Sequence, residues 1–378
     1  MRVGSLFSGY AGLDQAVEQV FSAEPAWFVE YDAAPSKILA HHYPSVPNYG
    51  DVTTVDWAGV PPIHILTGGY PCQPFSAAGQ RKGTDDERHL WPYVREAIRV
   101  LRPRFAILEN VAGHRSLGLD RVLGDMAEDG MRVWWTSVRA SDVGAPHHRE
   151  RVFILAEPAD AQRRGWERWS AQLDGTPVDL AGNGDRAFAA LRAAAPAVVL
   201  PTPTVVNSHG NEFNGRGELL LPGVAVAAAA GDLLPTPTAT ERGDCQSERD
   251  RRSPDIRAVS AHFPNGVSWG KYAPAIHRWE ALTRPAPAPT EPNRNGRPRL
   301  AATFAEWMMG LPAGWVTDPA IWTDDREVIE KVRAGFIPAT ARSSQLKAIG
   351  NGVCPPQAVA AIRELLELRR LTMLVGAA

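Results

Sequence analysis

At 378 residues with a formal net charge of −2, the chain is long enough for two full cores but lacks the basic surplus of a protein that coats nucleic acid in bulk. A local basic groove stays open. Its three cysteines, Cys72, Cys245 and Cys354, lie far apart with no Cys-x-x-Cys pair; this supports neither a disulfide framework nor a zinc site and suits a reducing cytosol.

No apolar run reaches membrane-spanning length and the first residues enter a strand-like stretch, so neither a membrane span nor a signal peptide is expected. Arg2 to Phe7 predicts a short strand, and Phe7-Ser-Gly-Tyr-Ala-Gly12 a glycine turn into a helix running to about Phe21. Such glycines let the backbone approach a ligand, and the first amides of the helix are free donors, as in nucleotide-like sites; a plain tight turn would read the same. Ala26 to Val29 predicts a second strand closing in Glu30-Tyr31-Asp32, an acidic end placed for ribose hydroxyls. A third short element ends in Gly50-Asp51-Val52, where Asp51 could accept from an adenine amino group.

Ile63 to Leu66 reads as a buried strand, ended by Gly68 and Gly69, and the prolines flanking Cys72-Gln73 deny the next residues a helix. Cys72 is thus held on a turn. A thiol so placed can be a nucleophile where a neighbour lowers its pKa or takes its proton; a lone cysteine is otherwise a small buried apolar residue. Ser76 to His89 has the composition of a mobile loop, Leu90 to Leu101 has helical periodicity, and Phe105 to Leu108 is a buried strand ending in Glu109-Asn110-Val111. In an open α/β sheet that edge carries the ligand, which puts Glu109 in one crevice with Cys72. A helix over Leu119 to Glu128 leads to a strand at Val133 to Val138 and then to an apolar strand ending at Leu155. On its approach Arg149 and Arg151 share one face if extended. Each is a fixed cation for an anion or a carbonyl oxygen, or else the partner of Glu109 or an aspartate in a salt bridge, a part that suits Arg149.

Beyond Leu155 the chain is rich in Pro, Gly, Ala and Arg, and Val199-Leu-Pro-Thr-Pro-Thr204 recurs as Leu233-Leu-Pro-Thr-Pro-Thr238. The prolines argue against a solenoid and for two irregular hooks carrying polar loops. Arg242, Arg249, Arg251 and Arg252 stand among acids, as a solvated charge run or a base- and phosphate-reading surface; Arg284, Arg294, Arg297 and Arg299 form a more basic patch, better suited to phosphate. A helix is predicted over Ala301 to Met309, an insertion or surface helix over Asp318 to Gly335, and a closing helix over Gln357 to Leu368 behind Pro355-Pro356.

In order, Phe7 to Gly12, Glu30 to Asp32, Asp51, Pro71-Cys72-Gln73, Glu109-Asn110-Val111, His147 to Arg151, Arg299 to Trp315 and Gly350-Asn351-Gly352-Val353 resemble the motif set of the DNA cytosine-5 methyltransferases. The resemblance covers roughly residues 2–156 and 297–368. It departs at His147-His148, where the family usually has a glutamine opening Arg-x-Arg, and Leu300 to Gly310 matches the penultimate motif loosely. What it implies is an α/β fold, a doubly wound, mostly parallel sheet of the S-adenosylmethionine-dependent methyltransferase type, with a smaller irregular target-recognition domain. The implied division is a catalytic and cofactor-binding domain over 1–156, the recognition domain over 157–330, and a segment over 331–378 returning to the first.

The implied roles are Cys72 as nucleophile at cytosine carbon 6, Glu109 as the acid at N3, Arg151 as donor to O2 and Arg149 as a supporting cation. S-adenosyl-L-methionine is the implied donor, held near Phe7, Gly9, Gly12, Glu30, Tyr31, Asp51, Pro71, Leu90, Asn351 and Val353, with no metal. The chemistry is independently coherent: carbon 5 of cytosine is a poor nucleophile until a thiolate adds at carbon 6 and makes the ring an enamine. The implied partner is double-stranded DNA with the target base flipped out and residues 76–89 closing over it. A cognate restriction endonuclease would join where the enzyme works in a pair; the chain is expected to act as a monomer in the cytoplasm of a bacterium, or of its host if phage-encoded. A transfer RNA cytosine methyltransferase and a non-catalytic DNA-binding relative are the competing readings. An NAD-type dehydrogenase lacks its compact Gly-x-Gly-x-x-Gly here, and adenine methylation its Asp/Asn-Pro-Pro-aromatic string.

Overall fold

A computed structural model of the chain describes residues 1–71, 90–160, 272–292, 295, 298–334 and 341–375. Cys72, the segment 76–89, both Pro-Thr-Pro-Thr stretches, the arginines from 242 to 252, and Arg294 and Arg297 lie outside the described residues.

The strands β1 (Arg2–Leu6), β2 (Glu24–Val29), β3 (Ile65–Gly68), β4 (Phe105–Val111), β5 (Met131–Arg139) and β6 (Glu150–Pro158) form one six-stranded sheet in the order β2-β1-β3-β4-β6-β5. The first four in that order run parallel, while β6 is antiparallel to both β4 and β5. Only a short connection joins β5 to β6, which forces an antiparallel return, and the mixed edge follows from it. A separate pair, β7 (Thr290–Pro292) and β8 (Pro298–Leu300), is antiparallel.

The described helices are α1 (Gly12–Phe21), α2 (Ala33–His42), α3 (Trp91–Leu101), α4 (Leu119–Glu128), α5 (Ala273–Leu282), α6 (Ala302–Met308), α7 (Arg326–Arg333), α8 (Arg342–Asn351) and α9 (Pro355–Val375). Strand alternation decides which face each covers. Leu66, Ala106 and Leu108 pack with Trp91, Val94 and Ile98 of α3 and Val122 and Met126 of α4. Their neighbours Ile65, Phe105 and Ile107 point the other way, onto Leu13, Val17 and Phe21 of α1 and Ile362 and Leu365 of α9. The sheet is therefore buried on both faces, as its near-continuous apolar strands require.

A third cluster joins Tyr10 and Ile38 to Ile276 and Trp279 of α5, Phe304 and Trp307 of α6, and Leu346 and Ile349 of α8. Residues 272–322, which the sequence assigns to a recognition domain ending near 330, thus share a core with Tyr10 and Ile38. Within it Glu306 is 1% exposed. Its carboxylate accepts from the backbone N–H groups of Gly314 (2.9 Å), Val316 (2.8 Å) and Thr317 (3.0 Å), and from Thr317 Oγ1 (3.0 Å). Helix α7 buries none of its residues, in keeping with the surface helix expected there.

The short element ending at Gly50-Asp51 holds a single parallel bridge, Phe28 to Asn48, and the Gly350-Asn351 pair closes a helix, α8. Among the described residues no helix is long and apolar enough to cross a membrane, and no group of His, Cys, Asp and Glu is arranged to hold a metal ion.

Candidate active site

The carboxyl ends of β1, β2, β3 and β4 open into one cleft of about 240 Å³. It lies where the chain leaves β1 toward β2 on one side and β3 on the other, the switch point at which open α/β sheets bind ligands. The turn after β1 shapes its floor: Phe7, Gly9 and Ala11 adopt left-handed φ of 52°, 56° and 65°. For Phe7 and Ala11 this conformation costs on the order of 1–2 kcal/mol each. A Cβ on Gly9 would meet nothing within 4 Å, so that glycine serves the backbone conformation.

Glu30 closes β2 at the rim. Its Oε2 accepts from Gly9 N–H and its Oε1 from Asp32 N–H, each at 2.8 Å. Burial raises its pKa, while those two donors hold it down. Each oxygen keeps a second lone-pair direction for a hydroxyl donor.

Of the residues expected around a cofactor, Phe7, Gly9, Glu30, Pro71, Asn351 and Val353 line the cleft; Gly12, Tyr31, Asp51 and Leu90 are not among its lining residues. Each has a physical reason. A Cβ on Gly12 would sit 2.3 Å from Val353 O, so this glycine admits close packing of the C-terminal segment. Tyr31 is 81% exposed. The Oδ1 of Asp51 accepts from Thr53 N–H and Oγ1 within its own turn, and Leu90 packs beside the α3 cluster.

The structure adds cleft residues that the sequence did not single out. Lys347 Nζ of α8 meets Asp32 Oδ2 at 2.7 Å, joining the two walls. Asp14 is 1% exposed and accepts from Thr67 Oγ1 (2.6 Å) and Ser5 Oγ (2.9 Å). An acid at i, i+3, i+7 spacing with Val17 and Phe21 was a legible signal. Burial pushes its carboxyl up to about 6, against the pull of the two hydroxyls.

That shift carries a sign. The folded state keeps the proton where the unfolded chain has lost it, so stability falls as pH rises from the ordinary aspartate range through about 6. Asp14→Asn should be free of this loss. Urea unfolding is expected to show the variant gaining on the wild type by roughly 1 kcal/mol between pH 5 and 7.5; a pH-independent difference would contradict the assignment.

Glu109, 8% exposed, lies near the carboxyl end of β4, followed by buried Asn110 and exposed Val111. Arg151, on β6 opposite Val111, places Nε 2.9 Å from Glu109 Oε1. Burial pushes the Glu109 carboxyl up and the Arg151 guanidinium down, and each charge opposes the other's shift. A Cβ on Gly69 would stand 3.4 Å from Glu109 Oε2, so the backbone leaving β3 passes directly beside the acid. Asn110 Nδ2 donates to Tyr70 O at 3.0 Å and ties the ends of β3 and β4 together.

Arg149 is placed differently. It is 1% exposed, has φ 36°, and donates from Nη2 to Gly350 O (3.0 Å) and Gly352 O (2.5 Å). It thus satisfies carbonyls at the end of α8. His147 is fully buried with Nε2 3.0 Å from Met308 O, and Gln357 donates to Val138 O and Arg149 O at 2.7 Å. Of the proposed basic patch, Arg284 lies 3.5 Å from buried Glu306.

Residues 1–174 match the family model described as C-5 cytosine-specific DNA methylase. This stretch belongs to that family. The methylase stretch contains Cys72, Glu109, Arg149 and Arg151. The orphan methyltransferase M.SPRI of Bacillus phage SPR is 33% identical over 193 residues, 49% of this chain and 43% of that protein. The type II methyltransferase M.NlaIV of Neisseria lactamica is 31% identical over 166 residues, 39% of each. The chain therefore spans less than half the length of these curated relatives. Among solved structures, the Dnmt2 methyltransferase of S. pombe superposes with a TM-score of 0.51 at 13% identity, covering 97% of this chain and 98% of that one. DNMT2 of Spodoptera frugiperda gives 0.50 at 13% identity, covering 97% and 99%. These two share the methylase fold alone.

Proposed function

We propose that the chain transfers a methyl group from S-adenosylmethionine to carbon 5 of a cytosine flipped out of duplex DNA, through a transient bond from Cys72. The observation that carries this reading is the meeting at one cleft mouth of the Glu109–Arg151 pair and the Gly69–Pro71 backbone, the residues that lead into Cys72.

The cleft suits the donor. Glu30 offers oriented lone pairs for ribose hydroxyls, Phe7 and Gly9 present backbone to it, and Asn351 and Val353 close it from α8 and the residues behind it. S-adenosylmethionine would supply an electrophilic methyl group on a cationic sulfur, which departs as a neutral thioether.

The residues of the chain prepare the base. A lone pair of Cys72 sulfur bonds to carbon 6, the carbon 5–carbon 6 π pair moves into the ring, and N3 gains the negative charge. Glu109, its carboxyl raised by burial, gives N3 a proton. Arg151 has five N–H donors, of which Nε holds Glu109 and Nη1 holds Glu150 O. Others remain for O2. Once carbon 5 is methylated, its proton passes to a water molecule, the pair re-forms the carbon 5–carbon 6 double bond, the sulfur leaves as thiolate and N3 returns its proton to Glu109. None of this can reach a stacked base, so the cytosine must leave the duplex.

The test is direct. Incubation with methyl-labelled S-adenosylmethionine and either duplex DNA or transfer RNA, followed by nucleoside analysis, is expected to give 5-methyl-2′-deoxycytidine from the DNA. Label found only in adenine, on cytosine N4, or in transfer RNA would overturn the reading. Bisulfite sequencing of the product would then give the sequence context.

A further inference from the structure

Tyr70 stands immediately before Pro71 and is 4% exposed; His114, in the 3₁₀ turn Ala112–Ser116 after β4, is 3% exposed. Their side chains meet at 2.7 Å, phenol oxygen to Nε2. The other ring nitrogen, Nδ1, lies 3.1 Å from Leu117 O. A carbonyl can only accept, so Nδ1 carries the hydrogen, Nε2 is the acceptor, and the Tyr70 hydroxyl donates to it. Burial lowers the pKa of His114 and favours this neutral form.

The bond has a second anchor beside it. Tyr70 O already accepts from Asn110 Nδ2 at 3.0 Å. Backbone and side chain of one residue are thus both fastened to the segment that carries Glu109, while Trp91 packs against the Tyr70 ring with centroids 5.4 Å apart. For stability alone, two apolar side chains would fill this buried space as well as a phenol–imidazole pair. A directional bond adds orientation.

We propose that His114 is a positioning residue which, through Tyr70, fixes the Gly69–Pro71 backbone at its distance from Glu109. The proposal rests on the methyl-transfer reading above. Misplacing reacting groups by about 1 Å costs on the order of 100-fold in rate, so a tether one residue from Pro71 acts on the chemical step and not on ligand affinity.

The test uses the full chain with Tyr70→Phe, His114→Leu, the double variant and His114→Gln, whose amide oxygen can take the place of Nε2. Single-turnover methylation of duplex DNA is expected to slow roughly 10- to 100-fold in each of the first two, with dissociation constants for DNA and S-adenosylmethionine unchanged. His114→Gln should recover much of the rate. The double variant should be no faster than either single variant, since both remove the same bond. Wild-type rates in the single variants, or a double variant that regains the wild-type rate, would overturn the proposal. If the wild type itself transfers no methyl group, the functional reading fails, and the tether is judged by amide hydrogen exchange over residues 65–71: faster exchange in Tyr70→Phe supports it, and unchanged exchange overturns it.

Discussion

Glu109→Gln is expected to lower the single-turnover rate of methyl transfer by roughly 10²- to 10⁴-fold, the range for loss of a positioned proton donor. Glutamine keeps the shape and can still accept from Arg151 Nε, which lies 2.9 Å from the carboxylate in the native chain. What it cannot do is give N3 a proton. The carboxyl is suited to that step because burial favours its neutral form while Arg151 favours the charged one, leaving it able to exist in either state as the ring gains and loses charge. Glu30 is bonded to the turn after β1 whereas Glu109 stands beside the backbone leaving β3, so with Glu30 as the proposed ribose partner calorimetric binding of S-adenosylmethionine should be little changed. A variant within tenfold of the native rate would remove Glu109 from the chemistry.

Glu306→Ala is expected to cost about 4 kcal/mol of stability or more, read from urea unfolding at neutral pH, and glutamine is not expected to restore it. Three backbone N–H groups and one hydroxyl converge on this carboxylate, which is almost wholly buried. Alanine leaves them without their acceptor, and glutamine turns a donor amide toward donors. The loop they hold also presents Trp315, stacked on His42 at 3.8 Å with its Nε1 donating to Tyr10 O at 2.8 Å. Loosening Glu306 therefore reaches the turn that floors the cleft. A loss below about 1 kcal/mol would show that the loop finds other acceptors.

Much of this was legible in the residues. Phe105 to Leu108 read as a buried strand because its apolar run is bounded and sealed on both faces, and Leu119 to Glu128 as a helix because its apolar residues recur at helical spacing; both are observed. Glu109 could be placed at the ligand edge because strand ends in such a sheet have one destination. Other features depend on contacts across the chain. The pair of Asp32 and Lys347 is separated by 315 residues, and no local pattern announces it. Helix α8 begins at left-handed Ala341 without a side-chain cap and ends in Gly350-Asn351, so it carries neither the start signal nor the apolar stripe of a helix. Arg149 read as a salt-bridge partner or a supporting cation; only the return of the C-terminal segment reveals the carbonyls of Gly350 and Gly352 among its partners. Gly12 looked like a ligand-approach glycine for the same reason, since Val353 O is what comes close.

The most direct measurement of the central claim is trapping on duplex DNA carrying 5-fluoro-2′-deoxycytidine in place of cytosine, with S-adenosylmethionine present. A fluorine on carbon 5 cannot leave as a proton, so a sulfur bonded to carbon 6 should stay bonded. The native chain is expected to give a protein–DNA species that survives denaturant and maps by mass spectrometry to Cys72, and Cys72→Ser to give none. Native protein that makes 5-methylcytosine in ordinary DNA yet leaves no such species, or a Cys72→Ser variant that still does, would contradict it.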